Sequence, residues 1–271
     1  MAIKFKRLLS PPFLQNRVKR CKKYSPLRTK KQHNPNTSKP AMTETQGKDI
    51  LEQGLTAMSI ALDAQARERL AIYCTELLRW SAKINLVAKA ELREIWETHF
   101  LDSLSLLRVL PPLSSAQQPL LDIGTGAGFP GLALKAARPE LPVILVEPRQ
   151  KRVSFLRHVI RTLGLKDIEV LCGRLEKNSD EVAGSTLAVP IITSRAFTNI
   201  GEFLLHTAAV NPTGGKVICM KGPRAAEEIA AWRTEQPGSP YRLQKIVELT
   251  LPFSGKIRNL VIFSKEGEYA P

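Results

Sequence analysis

Glycine falls at every second position from 124 to 128, directly behind the apolar run Pro119-Leu-Leu-Asp122 and ahead of helix-forming residues. A short apolar run of this kind is a buried strand. When it opens into Gly124-x-Gly126-x-Gly128, the chain must turn sharply and bring its backbone close to a ligand. Glycine serves both needs, having no Cβ and adopting positive φ at little cost. The helix that follows presents unpaired N–H groups and a positive dipole end, which favour electron-rich partners. These features imply an α/β domain that holds a nucleotide-like cofactor at its first strand-to-helix turn.

Two registers compete for that cofactor. Gly126-Ala-Gly128-Phe-Pro-Gly131 satisfies G-x-G-x-x-G, the dinucleotide fingerprint. The third glycine of that fingerprint belongs inside the helix, yet Pro130 stands just before Gly131, where proline suits a first helical turn and not an interior. The other register, Asp122-x-Gly124-x-Gly126-x-Gly128, sets an acid two residues ahead of the glycines. It resembles the turn of Rossmann-like methyltransferases that bind S-adenosyl-L-methionine (AdoMet), a cofactor with no pyrophosphate. The local pattern favours AdoMet over NAD. Pro142-Val-Ile-Leu-Val-Glu147 then ends in an acid 23 residues after Gly124. A carboxylate there can accept both ribose hydroxyls of an adenosine cofactor. NAD would want the same acid, so Glu147 does not separate the two, and a solvated acid at a strand end is the plainer alternative.

From Pro119 onward, strand-like runs at 120–124, 142–147, 168–172, 189–194 and 215–221 alternate with helical ones at 130–138, 149–163, 199–210 and 224–233. Alternation of this kind predicts a parallel sheet covered on both faces. Tyr241–Leu251 and Ile257–Lys265 are also strand-like, and the four residues between them suit a hairpin and not a crossover helix. Five parallel strands closed by an antiparallel C-terminal hairpin is the topology of class I AdoMet-dependent methyltransferases; NAD domains usually finish with another parallel strand. Ahead of this domain, residues 48–112 read as a helical cap. Leu70, Tyr73, Leu77 and Leu78 recur at helical spacing, and a helix over Leu92–Leu110 stops at Pro111-Pro112. The expected division is a basic tail over 1–47, the cap over 48–112 and the AdoMet-binding domain over 113–271.

The formal charge of +15 points toward nucleic acid but is unevenly placed. Residues 1–41 hold twelve Lys or Arg and no acid, which leaves 28 basic against 25 acidic residues in the rest. The body is therefore compatible with an RNA partner without demanding one. The tail has three readings: a disordered arm that engages phosphates, an organelle transit peptide, or an over-long gene start, because Met42 stands just ahead of the first helical segment. Cys21, Cys74, Cys172 and Cys219 show no paired spacing and predict neither a disulfide framework nor a zinc site. The four histidines do not cluster with other ligands, so no metal is expected. No run approaches the ~20 apolar residues of a membrane span.

Ligands of an open parallel sheet bind beyond the carboxyl ends of its strands. Those ends yield Gly124 to Gly128 with Phe129 at the rim, then Glu147, then Leu175 and Glu176 for an adenine face and its polar edges. Arg195 and Phe197 follow at the fourth strand and Lys221 at the fifth. Arg195 stands out on an otherwise apolar strand, since a buried guanidinium needs a carboxylate or phosphate. An ion pair inside the fold is the structural alternative. His99 and Asp102, three apart on a helix, are either a catalytic relay or a hydrogen-bonded pair that pins the cap to the sheet, and the second is preferred.

Asn85-Leu-Val, Glu94-Ile-Trp-Glu-Thr-His-Phe-Leu-Asp-Ser-Leu104, Leu121-Asp-Ile-Gly-Thr-Gly-Ala-Gly-Phe-Pro-Gly131, Lys151-Arg-Val-Ser-Phe-Leu156 and Ser194-Arg-Ala-Phe197 occur in this order. Together they resemble the bacterial RsmG (GidB) family over roughly Ile50 to Lys265. The resemblance implies AdoMet-dependent methylation of N7 of one guanine, position 527, in 16S ribosomal RNA of the small subunit, by a cytoplasmic monomer. An organellar location follows only if residues 1–41 are a transit signal. It carries cofactor contacts to Gly124, Phe129, Leu175, Glu176 and Arg195, beside the expected Asp122, Gly126, Gly128 and Glu147. Many members have Asp-Ser where this chain has Glu147-Pro148, so Glu147 is a departure. Guanine N7 already carries a lone pair, so transfer needs no general base and rests on positioning. Arg195→Ala is therefore expected to weaken cofactor or RNA binding, and His99→Ala to lower stability. An NAD-dependent oxidoreductase and a non-catalytic RNA-binding protein with a vestigial cofactor fold are the alternatives.

Overall fold

The computed structural model describes residues 18–20, 40–112, 118–175, 188–195 and 198–267, with side chains from residue 45 onward. Eight strands form one sheet: β1 (Val18–Arg20), β2 (Leu120–Ile123), β3 (Val143–Glu147), β4 (Ile168–Leu175), β5 (Ile191–Arg195), β6 (Lys216–Lys221), β7 (Tyr241–Thr250) and β8 (Ile257–Lys265). Their order is β1-β4-β3-β2-β5-β6-β8-β7. The five strands from β4 to β6 are parallel, while β8 pairs antiparallel with β6 and with β7. This is the Rossmann-like class I methyltransferase topology with its C-terminal hairpin, as the alternation and the short 252–255 connection predict. The chain winds outward from β2 to β4, then returns to β5 on the other side of β2. That reversal opens a crevice at the carboxyl ends of β2 and β5.

Among the described residues seven helices flank the sheet, the third of them, α3, spanning 92–108. They are α1 (Pro40–Ala57), α2 (Ala64–Ser81), α3, α4 (Gly131–Ala137), α5 (Gln150–Thr162), α6 (Ile200–Thr207) and α7 (Ala225–Glu235). Helix α3 changes pitch as it runs: an α turn at Leu92–Ile95, a π segment at Trp96–Leu101, an α turn at Asp102–Leu104 and a 3-10 end at Ser105–Arg108. It stops before Pro111, because the residue ahead of a proline disfavours helical backbone.

Period-two alternation sorts the strands' apolar residues onto two cores. Val143, Leu145, Ile191, Ile218 and Leu260 meet α1 to α5 on one face. Ile144, Val146, Ile192, Val217 and Val261 meet α6 and α7 on the other. Fully burying such a side chain is worth ~1.5–3 kcal/mol. The cap belongs to the first core: α2, capped by Asp63 through the Ala66 N–H at 2.5 Å, buries Leu70, Tyr73, Cys74 and Leu77 along one stripe. Arg69 donates to the Ala136 carbonyl at 2.7 Å, and Glu76 meets His158 of α5 at 2.6 Å. Glu97, almost wholly buried, accepts from the Phe253 and Ser254 amides at 2.6 and 2.8 Å, and so holds the β7–β8 turn.

Four features depart from expectation. Helix α1 starts at Pro40, eight residues before the boundary at 48. Val18–Arg20 is a strand and not a structureless tail, and β4 runs on to Leu175 because Gly173, Arg174 and Leu175 pair with it. Cys172 is disulfide-bonded, while Cys74 and Cys219 are free and buried. Among the described residues no helix is long and apolar enough to cross a membrane.

Candidate active site at the glycine turn and the neighbouring cleft

The turn after β2 uses left-handed backbone at each alternate glycine, with φ of 74° at Gly124, 62° at Gly126 and 104° at Gly128. A Cβ at Gly128 would overlap the Tyr73 hydroxyl and lie 2.8 Å from Leu132 Cβ. Tyr73 explains that crowding, since it reaches from α2 to donate to the Ala127 carbonyl. Gly131 is also packed tight: a Cβ there would sit 2.6 Å from Leu145 and 2.8 Å from Asp122. The third glycine of the fingerprint therefore performs the close helix-to-strand packing that Pro130 was taken to exclude. Pro130 merely occupies the cap position ahead of α4.

Asp122 lies beneath the turn and not at its mouth. It is 0% exposed, and its Oδ2 accepts from the Gly131 N–H at 2.8 Å. Burial raises its pKa to about 6, against the pull of the Thr125 hydroxyl, the Gly131 amide and the Arg195 charge. This geometry makes Asp122 a brace of the turn. Phe129 is likewise not at the rim: it is 3% exposed, with Tyr73 stacked at 5.4 Å, His99 at 5.1 Å and the Phe100 edge at 5.1 Å. Leu175 is buried in the second core, and Glu176 and Phe197 lie outside the described residues.

Glu147 stands where the sequence places it, at the end of β3 over the turn. Its Oε2 accepts from the Gly126 N–H at 3.0 Å and its Oε1 from the Arg149 N–H at 2.8 Å, with Arg152 at 3.9 Å. Each oxygen keeps a second lone pair. A left-handed glycine turn facing such a carboxylate, at the reversal of strand order, fits an adenosine cofactor: Gly124, Gly126 and Gly128 let backbone approach it, and Glu147 can take its ribose.

A cleft of 810 Å³ lies at the carboxyl ends of β5 and β6; Thr98, His99, Asp102, Arg195, Lys221 and Arg258 are among its lining residues, and Phe129 behind the turn contacts two of them, His99 and Arg195. Arg195 is the hub of that wall. It donates to the Thr98 carbonyl within the π segment and to His99 Nδ1 at 3.0 Å, and it lies 3.6 Å from Asp102 Oδ2 and 5.1 Å over the Phe129 ring. Arg258 of β8 meets the same Asp102 oxygen at 3.2 Å. The fold-internal ion pair is therefore present, and the side chain faces the cleft as well. Burial raises the Asp102 pKa, opposed by Arg195 and Arg258. Burial and the Arg195 charge lower His99 to about 3, so its ring is neutral at physiological pH. The His99–Asp102 pair does pin the cap to the sheet, but through Arg195 and not by a direct bond. Lys221 is held by the Thr198 carbonyl at 2.7 Å and Glu228 at 2.8 Å.

Sequence reasoning missed Tyr73, Arg258 and Lys135. Tyr73 read as one more apolar stripe position, and Arg258 sits on a charged hairpin without a motif. Lys135 is fully buried in α4, donating to the Pro139 and Leu141 carbonyls at 2.6 and 2.7 Å, and burial lowers its pKa to about 8. Among the described residues no three His, Cys, Asp or Glu side chains come together as a metal cage.

Fold and glycine turn together define a Rossmann-like α/β protein whose glycine turn could admit an adenosine cofactor. Residues 66–261 match GidB, rRNA small subunit methyltransferase G, and the chain belongs to that family. It is 47% identical over 213 residues to the ribosomal RNA small subunit methyltransferase G of Desulfotalea psychrophila, covering 78% of this chain and 95% of that one. The protein of the same name from Myxococcus xanthus is 38% identical over 226 residues, covering 83% and 100%. Among solved structures, a SAM dependent methyltransferase from Aquifex aeolicus aligns over 63% of this chain and 93% of its own, with a TM-score of 0.45 and 19% identity.

Proposed function

We propose that this protein transfers the methyl group of AdoMet to N7 of a single guanine in 16S ribosomal RNA, position 527 by the family resemblance, within the small subunit. The observation that carries this reading is the meeting of two unlike features through Phe129, whose ring contacts His99 and Arg195 of the cleft from its place at the end of the glycine turn. One is a glycine turn faced by Glu147, and the other a polar cleft wide enough for a base. AdoMet supplies an electrophilic methyl on a sulfonium sulfur. Gly124, Gly126 and Gly128 would let the cofactor approach the backbone, Glu147 would accept from its ribose, and Arg195 would hold the far wall in register. His99 has little proton affinity, with Nδ1 already taken by Arg195, and Asp102 is engaged by two arginines. A wall without a ready base suits a nucleophile that has no proton to lose, and guanine N7 is one. Alignment of nucleophile and methyl can then supply ~7–11 kcal/mol of the barrier lowering.

The test is transfer of labelled methyl from AdoMet to small ribosomal subunits lacking the modification. Release of 7-methylguanosine from one position is the expected result. Label in another nucleoside, or none while AdoMet still binds, would overturn the guanine assignment and leave the cofactor site standing. The same reading expects a cytoplasmic monomer; sedimentation of the purified protein would check the monomer, and fractionation of cells its location.

A further inference from the structure

On the α3 side the cleft holds an acceptor and a donor that the fold does not use. Asp102 is nearly buried, and while its Oδ2 takes both arginines, its Oδ1 is buried without a hydrogen-bond partner. A buried lone pair left in that state is costly and waits for a donor. Three residues earlier on α3, His99 accepts from Arg195 at Nδ1. Arginine stays protonated and can only donate, so the proton of the neutral imidazole lies on Nε2. Three cations of this wall are committed, Arg195 and Arg258 to Asp102 and Lys221 to Thr198 and Glu228, while Arg224 lines the cleft from its far side at the start of α7. One face of α3 thus offers N–H from His99 beside O⁻ from Asp102.

We propose that this pair recognises the target base, His99 Nε2–H donating to guanine O6 and Asp102 Oδ1 accepting from guanine N1–H. The inference rests on the guanine-N7 reading above and deepens it. On guanine, O6 lies between N7 and N1–H, so a base held by O6 and N1–H keeps N7 free to face the glycine turn. Adenine reverses both groups, setting its 6-amino donor against His99 and its N1 lone pair against Asp102, and is rejected by two unpaired contacts. Methylation at N7 makes the ring cationic, which strengthens the N1–H bond to a carboxylate. The contact with Asp102 therefore tightens along the reaction, as a transition-state interaction must.

The experiment uses small subunits whose target guanine is replaced by 2-aminopurine, which keeps N7 and the amino group but lacks O6 and N1–H, or by inosine, which keeps O6 and N1–H. With the wild-type protein, kcat/KM for methyl transfer falls at least about tenfold for 2-aminopurine, the scale of one lost base contact pair, and changes less for inosine. His99→Ala then shrinks the guanine to 2-aminopurine ratio while AdoMet affinity, measured separately by calorimetry, stays put. Equal transfer to guanine and 2-aminopurine by the wild type, or a loss with inosine as large as with 2-aminopurine, overturns the proposal, whatever the variant does. An unchanged ratio in folded His99→Ala protein overturns the role of His99. Absence of transfer to guanine itself would instead sink the underlying reading.

Discussion

The two walls of the crevice are held by different physics. The glycine wall is over-determined by backbone: left-handed turns, a close helix-to-strand approach at Gly131, and the neutral brace of Tyr73 on Ala127. The β5–β6 wall is held by charge, with Arg195, Asp102 and Arg258 sharing one carboxylate oxygen. A backbone wall keeps its shape with little regard to salt, which suits a cofactor that is the same at every turnover. A charged wall can exchange partners with an incoming polar ligand, which suits a base that must enter and leave.

The largest effect should come from breaking the charged wall. Asp102→Ala leaves two guanidinium groups without their carboxylate in a buried setting, and stability should fall by about 3–5 kcal/mol in denaturant unfolding. Breaking the backbone wall should cost slightly less. Gly128→Ala forces φ of 104° on a residue with a Cβ and drives that carbon into Tyr73, for a loss of about 3 kcal/mol together with AdoMet affinity in calorimetry. Tyr73→Phe removes only the hydroxyl and keeps the stack on Phe129, so about 1 kcal/mol should be lost. A Tyr73→Phe loss as large as that of Asp102→Ala would erase the contrast between the walls.

The smallest effect sharpens the comparison through pH. Asp122 titrates near 6 when folded and near 3.8 when unfolded, so the folded protein carries the extra proton between those values. Its contribution to stability is present below about 4 and is lost as pH rises through 6. Asp122→Asn should flatten the stability profile over that window, and a slope unchanged from wild type would show that Asp122 is not buried as the turn requires.

The glycine wall was largely legible in the sequence because its instructions are local: Gly124, Gly126 and Gly128 announce their backbone within five residues, and Glu147 follows one crossover later. The charged wall was not, because Arg195 finds Thr98, His99 and Asp102 about a hundred residues away in the chain. Only the oddity of an arginine on an apolar strand marked it. Phe129 misled for the opposite reason. Its place beside the glycines suggests exposure to a ligand, but Tyr73 and His99 come from helices whose packing no local pattern specifies. The extension of β4 to Leu175 was illegible for the same cause, since Val18–Arg20 supplies the pairing from the far end of the chain.

Phe129 has one more consequence. Its ring touches Tyr73, which fixes the cofactor turn, and His99, which faces the cleft. A ring is stiff, and a close-packed interior does not absorb displacement. The turn and the imidazole are therefore packed on one phenyl group and share its position. The spacing between cofactor turn and cleft is thus set by a single side chain, and a smaller residue at 129 would loosen both at once.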